Sequence, residues 1–274
     1  MEPLLQVDGL SKRYGSFALE DVSLKVGAGS IMGFIGRNGA GKSTTLKCLE
    51  GAVAPDGGTI AYFGKPFVGN EDEVKLHVGF ELGSADFYRN KTVAQIAWVT
   101  KRFYGSWSDE AYERYSALFN IDPGKRVKDL SQGMRVKFAL ALALSHKSKL
   151  LVLDEPTSGL DPVSREEVLD IFLHLAKERG VGILFSTHIT SDLDKCADTV
   201  VLIDDGRIIG AGSLASFKDA YRVVSAPAAR AAGVHIISTR KVAQGETALV
   251  SSQFGIGEPA TLDEIMAFQA KKTI

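Results

Sequence analysis

Short apolar runs, broken by glycine and acidic turns, open the chain. Leu4-Leu5-Gln6-Val7 and Val22-Ser23-Leu24-Lys25-Val26 precede the apolar Ile31-Met32-Gly33-Phe34-Ile35, with Gly15, Gly27 and Gly29 as punctuation. This pattern predicts hairpin strands beside one buried strand. Pro55-Asp56-Gly57-Gly58 is a strong turn signal, and Thr59–Phe63 and the stretch around Val78-Gly79-Phe80 predict two further strands. From Leu150 to Leu153, and again from Val181 to Phe185, runs without polar breaks suit parallel strands buried on both faces. Between them, Pro162 precedes a helical pattern from Ser164 to Arg179. Thr199–Ile203, the turn Asp204-Asp205-Gly206 and Arg207-Ile208-Ile209 predict a hairpin.

Residues 84–148 break this rhythm. Helix formers and aromatics dominate (Phe87, Tyr88, Trp98, Phe103, Tyr104, Trp107, Tyr112, Tyr115, Phe119), and Ser108 before Asp109-Glu110 reads as a helix N-cap. A helical insertion is expected, with most aromatics in a local core and exposed ones offering a docking surface. Past residue 221, strand-like Val234–Ser238 and Thr247–Ser251 flank a turn near Gln244. Thr261-Leu262-Asp263-Glu264 is a capping box that opens a helix to about Lys272. The expected organisation is an α/β core over 1–83 and 149–220, a helical subdomain over 84–148 and a small α+β appendage over 221–274.

Composition narrows the function. With 45% hydrophobic and 24% charged residues among 274, the chain is an ordinary globular one. A formal net charge of −1 and no basic run exclude the stripe that tracks phosphates along nucleic acid. Cys48 and Cys196 have no Cys/His spacing around them, which suits a reducing cytoplasm and no zinc site. Met1–Gln6 has no signal-sequence character, and no apolar run approaches the ~18 residues that span a bilayer. A membrane role has to come through a partner.

One stretch carries chemistry. Gly36-Arg37-Asn38-Gly39-Ala40-Gly41-Lys42-Ser43-Thr44 joins an apolar strand to the helical Thr45-Leu46-Lys47-Cys48-Leu49. It matches G-x-x-x-x-G-K-[ST], the P-loop that cradles the phosphates of ATP or GTP. The glycines let successive N–H groups converge on one anion, and the helix N-terminus adds positive charge. Lys42 is expected to reach the β- and γ-phosphates and Ser43 to ligate Mg²⁺. Asp154 and Glu155 end an apolar strand, where open α/β sheets bind ligands. Asp154 there suits Mg²⁺, and Glu155 suits orienting or deprotonating an attacking water. His188, after Ser186-Thr187, fits either a structural role or a hydrogen bond to a γ-phosphate or that water. Tyr14 fits either strand-end packing or a platform for adenine.

Further stretches supply a family resemblance. Leu130-Ser131-Gln132-Gly133-Met134 resembles the LSGGQ signature of ATP-binding cassette (ABC) ATPases, and Ser158-Gly159-Leu160-Asp161 resembles their D-loop. Ser186-Thr187-His188 is similar to their switch histidine, and Tyr14 falls where their adenine-stacking aromatic is expected. Order and spacing agree with that family from residue 4 to about 218. The resemblance implies a P-loop NTPase core with a RecA-like sheet, an antiparallel β-subdomain and a helical insertion, and ATP with Mg²⁺ as cofactors. It implies a composite site in which two cassettes, identical or different, meet head to tail. Ser131, Gly133 and Asp161 of one then approach the ATP held by the P-loop of the other, and hydrolysis through Glu155 and His188 reopens the pair.

The closer resemblance is to short ATPase subunits of bacterial exporters whose membrane half is a separate polypeptide. It is carried by Phe87-Tyr88 before Thr92-Val93, by residues 130–137 and 185–193, and by Thr261-Leu262-Asp263-Glu264-Ile265-Met266. It implies a permease partner, a cytoplasmic place on the inner face of the cell membrane, and antimicrobial or surfactant-like peptides as cargo. The competing class is a mechanical ATPase of ribosomes or DNA, whose members carry two cassettes or long coiled coils; this chain has one cassette and no heptad stretch. Two departures stand out. Gln132 and Met134 replace the usual Gly and Gln of the signature, and the glutamine that touches Mg²⁺ and couples to the membrane half falls on Gly83. Glu81 or a water is left to substitute for it.

Overall fold

The computed structural model describes residues 2–81, 89–243 and 245–269, so Gly83, Phe87, Tyr88 and the chain past Gln269 lie outside the described residues. Strands β1 (Leu5–Tyr14) and β2 (Phe17–Val26) pair antiparallel and bury mainly one side of the ladder. β3 (Ile31–Ile35) is buried throughout and runs into the glycine loop and α1 (Lys42–Glu50). β4 (Gly57–Tyr62) pairs with β1 and β5 (Lys65–Pro66) with β4, giving an antiparallel sheet ordered β2-β1-β4-β5. A short helix, α2 (Glu71–Lys75), leads to β6 (Val78–Glu81).

The insertion is helical, as its composition predicts. α3 (Val93–Thr100), α4 (Asp109–Leu118) and α5 (Gln132–Ser145) each start at a hydroxyl N-cap: Thr92, Ser108 and Ser131. Tyr115 and Phe119 are buried there, whereas Trp98 and Phe103 are 56% and 73% exposed. Only part of the aromatic set therefore forms a local core.

β7 (Leu150–Asp154), α6 (Pro162–Arg179), β8 (Gly182–Thr187), α7 (Thr190–Cys196), β9 (Thr199–Asp204) and β10 (Arg207–Ser213) complete a six-stranded sheet ordered β10-β9-β3-β8-β7-β6. All its pairings are parallel except β9 with β10. Parallel strands need cover on both faces, and successive residues supply it. Ile31 and Ile35 enter the cluster that includes α5 and α6, while Met32 and Phe34 enter the one that includes α1 and the antiparallel sheet.

The last segment contains α8 (Leu214–Asp219), β11 (Tyr221–Ser225), α9 (Ala226–Ala231), β12 (Ile236–Val242), β13 (Gly245–Ser251), β14 (Glu258–Pro259) and α10 (Leu262–Gln269). Its sheet is ordered β12-β13-β11-β14, so the two expected strands are half of four. β11 escaped the pattern because its side chains are only half buried, and β14 because it is two residues long. Leu249, Leu262, Ile265 and Phe268 belong to the same buried cluster as Leu193 and Phe217, so the segment shares a core with the α/β sheet.

Gly206 ties three parts together. Its N–H donates to Ala40 O at 2.9 Å, and its carbonyl accepts from Glu20 N at 2.9 Å. Its φ is +76°, and an added Cβ would stand 1.8 Å from Ala18 O. Gly206→Ala is expected to destabilise by about 2 kcal/mol through overpacking and left-handed strain. Thermal unfolding should then show a Tm lower by roughly 5 °C.

Candidate functional site

The glycine loop ends at Gly41, φ 116°, which N-caps α1 without a side-chain hydrogen bond. The first N–H groups of the helix are thus available to an anion. Packing also requires a glycine at this position: a Cβ there would lie 2.6 Å from Leu19 Cδ2 and 3.1 Å from Phe17 Cζ. Phe17 is the cross-strand partner of Tyr14, so the end of the β1–β2 hairpin lies against the loop. Tyr14 is 44% exposed there, with Lys12 Nζ 5.7 Å from its ring centroid. Arg37, Asn38, Gly39 and Ser43 are exposed, while Gly36, Ala40 and Gly41 are buried.

Lys42 is 5% exposed and folds back over the loop, donating to Gly36 O at 2.7 Å and Arg37 O at 3.3 Å. Its Nζ also stands 3.5 Å from Glu155 Oε1. Glu155 Oε2 in turn lies 2.6 Å from His188 Nδ1. The loop lysine, the strand-end acid and the histidine, far apart in sequence, therefore meet at one carboxylate. Glu155 has a φ of 51°, a left-handed backbone that costs a non-glycine residue about 1–2 kcal/mol. Ser186 holds it there: Glu155 N donates to Ser186 Oγ at 2.9 Å, and Ser186 Oγ donates to Asp154 Oδ1 at 2.5 Å.

Ser131 and Asp161 are elsewhere. Ser131 Oγ accepts from Met134 N at 3.3 Å as the cap of α5. Asp161 Oδ1 accepts from Val163 N and Ser164 N, both at 3.1 Å, as the cap of α6. The Ser164 side chain and these N–H groups hold its carboxyl below the usual range. Gly133 brings the two helix starts together, since a Cβ on it would come within 3.3 Å of Ser164 Cβ. Among the described residues, neither Ser131 nor Asp161 bonds to Lys42, Asp154, Glu155 or His188.

A family profile described as "ABC transporter" matches residues 19–158, about half of the chain. The chain is 34% identical over 212 residues to the bacitracin transport ATP-binding protein BcrA of Bacillus licheniformis, covering 76% of this chain and 69% of that one. It is 32% identical over 220 residues to the probable multidrug ABC transporter ATP-binding protein YbhF of Escherichia coli, covering 77% of this chain and 37% of that one. A solved structure of an ATP-binding subunit of an ABC transporter superposes with a TM-score of 0.70 at 30% identity, covering 78% of this chain and 92% of that one.

The chain belongs to the ABC transporter family. It is an ATP-binding subunit with the P-loop NTPase fold, and the reaction of its family is ATP hydrolysis in transport. Among the described residues of this ABC subunit, no three His, Cys, Asp or Glu side chains gather as a metal cage. Ser43 offers an exposed hydroxyl, and Asp154 a carboxylate with only Oδ1 engaged by Ser186. A few hard oxygen donors fit Mg²⁺, which keeps waters and shares phosphate oxygens.

Sequence reasoning missed Ser186 and Asp192 in this site. Asp192, 1% exposed, accepts from Thr157 Oγ1 at 2.6 Å and faces Arg165 Nε at 3.9 Å. Burial pushes its carboxyl above the usual range, against the Thr157 bond and the Arg165 and His188 charges. No residue pattern announces either role, because both depend on which strand ends lie side by side. Lys42→Ala deletes the cation of the loop and should abolish tight MgATP binding in a calorimetric titration. Undiminished affinity would remove the loop as the phosphate site.

Proposed function

We propose that Lys42, Glu155 and His188 form the hydrolytic centre of an ABC cassette that pairs with a second cassette, identical or different, and drives a separate membrane permease. The contact set of Glu155, with Lys42 on one oxygen and His188 on the other, carries this reading. Lys42 exchanges Glu155 and the loop carbonyls for the β- and γ-phosphates, so its buried charge stays paired throughout. Glu155, released from Lys42, orients and deprotonates the water that attacks the γ-phosphorus, while His188 hydrogen-bonds to that water or to the phosphate. The N–H groups of residues 36–44 hold the phosphates, and Tyr14 stacks on adenine. Ser43 and Asp154 would hold Mg²⁺, which would supply neutralisation of charge on the phosphates.

Ser131 and Gly133 at the start of α5, with Asp161 at the start of α6, serve the partner's nucleotide. α5 is fourteen residues long, so its N-terminus and the Ser131 hydroxyl suit a γ-phosphate delivered by a facing cassette. Closure on ATP and reopening after hydrolysis then supply a two-state stroke. No described helix is long and apolar enough to cross a membrane. The reading puts the subunit on the inner face of the cell membrane through its permease. Similarity to a bacitracin transport subunit and a probable multidrug subunit supports export of antimicrobial or surfactant-like peptides. These relatives favour transport over work on ribosomes or DNA.

The molar mass of Glu155→Gln in solution tests the pairing. Light scattering should show a monomer without nucleotide and a dimer with MgATP. A chain that binds ATP yet stays monomeric would rule out a sandwich of two identical copies and leave a different cassette or the permease as the partner.

A further inference from the structure

His188 is 44% exposed and, among the described residues, its one ion-pair contact is Glu155, so the backbone on either side decides where the imidazole stands. On one side lies β8, where Thr187 Oγ1 accepts from Ile189 N at 2.9 Å. On the other lies α7, whose N-cap Ile189 offers no side-chain bond. Two of its anchors lie within the cassette. Leu193 packs on β3, where a Cβ at Gly33 would fall 2.1 Å from Leu193 Cδ2. Asp192 is held by Thr157, two residues past Glu155.

Another anchor comes from the far end of the chain. Thr190, 6% exposed, donates through Oγ1 to Asp263 Oδ1 at 2.6 Å, across a separation of 73 residues. Asp263 is presented by a fixed helix turn. Thr261 N donates to Glu264 Oε2 at 2.8 Å and Glu264 N to Thr261 Oγ1 at 3.2 Å, closing a capping box around it. Its neighbours Leu262 and Ile265 are buried in the cluster that also holds Leu193 and Cys196. A nearly buried hydroxyl has few alternatives to a carboxylate presented in this way.

We propose that Asp263 is a positioning residue for the nucleotide site: by accepting from Thr190 it fixes the start of α7 and so the loop that carries His188 against Glu155. The proposal rests on the roles given above to His188 and Glu155. It assigns the C-terminal segment a task in hydrolysis. Small displacements of a reacting group cost rate far more than binding, and Asp263 touches neither the loop nor Lys42. Its loss should therefore appear in kcat and leave KM for ATP unchanged.

The test is steady-state ATP turnover of the full chain in five variants: Thr190→Val, Asp263→Ala, Asp263→Asn, the Thr190→Val/Asp263→Ala double variant and His188→Ala. Thr190→Val and Asp263→Ala are each predicted to lower kcat about fivefold, the net weight of one hydrogen bond. The double variant should be no slower than either single one. Asp263→Asn keeps an acceptor oxygen and should retain nearly the wild-type rate. Wild-type kcat in both single variants, a raised KM in place of a lowered kcat, or additive losses in the double variant overturns the clamp. Thr190→Val preserves shape, so it decides the matter even where Asp263→Ala fails to fold. A His188→Ala variant as fast as wild type removes the reading beneath the clamp. If that variant is slow while the clamp variants are not, only the clamp falls.

Discussion

Glu155 occupies a left-handed backbone position at the end of β7, and the site depends on what keeps it there. The Ser186 hydroxyl accepts from Glu155 N and donates to Asp154, so one side chain of β8 holds the last carboxylate of β7 and the backbone of the residue after it. The parallel register that sets Asp154 opposite Ser186 makes this possible. With the turn fixed, the Glu155 carboxylate reaches both Lys42 and His188. Backbone strain of about 1–2 kcal/mol persists only where surrounding contacts over-determine it, and here they do.

The same constraint explains how the rest of the molecule is arranged. β3 delivers the loop, β7 the two acids and β8 the serine and histidine, all at the carboxyl ends of adjacent parallel strands. The antiparallel hairpin presses Phe17 and Leu19 against Gly41, bringing Tyr14 beside the loop. Among the described residues, none of the helical insertion bonds to Lys42, Glu155 or His188. It sets Ser131 and Gly133 next to the start of α6, where Ser131 and Asp161 cap the two helices. In the proposed composite site, divided between two cassettes, these caps would have a second use.

Much of this was legible in the chain because the signals are local. Apolar runs ending in glycine or carboxylates marked β3 and β7, Pro162 marked α6, and Thr261 with Glu264 marked α10. Lys42, Asp154 and Glu155 stood out from residue type and position, His188 only through the family resemblance, and the fold brings Lys42, Glu155 and His188 together. What stayed hidden depends on register and distant packing. Ser186 looks like any strand serine until β7 lies beside it. Thr190 and Asp263 are 73 residues apart, and no local pattern pairs them. β11 is half buried on both faces, so no alternation betrayed it.

The most direct measurement of the central claim is phosphate release by Glu155→Gln under saturating MgATP. The substitution keeps the size and a hydrogen-bonding oxygen but removes the base. Turnover is predicted to fall by roughly 10²–10⁴ while ATP binding persists, because Lys42 and the loop are untouched. Release at nearly the wild-type rate would contradict the account, since the carboxylate that meets Lys42 and His188 would then not act on the attacking water.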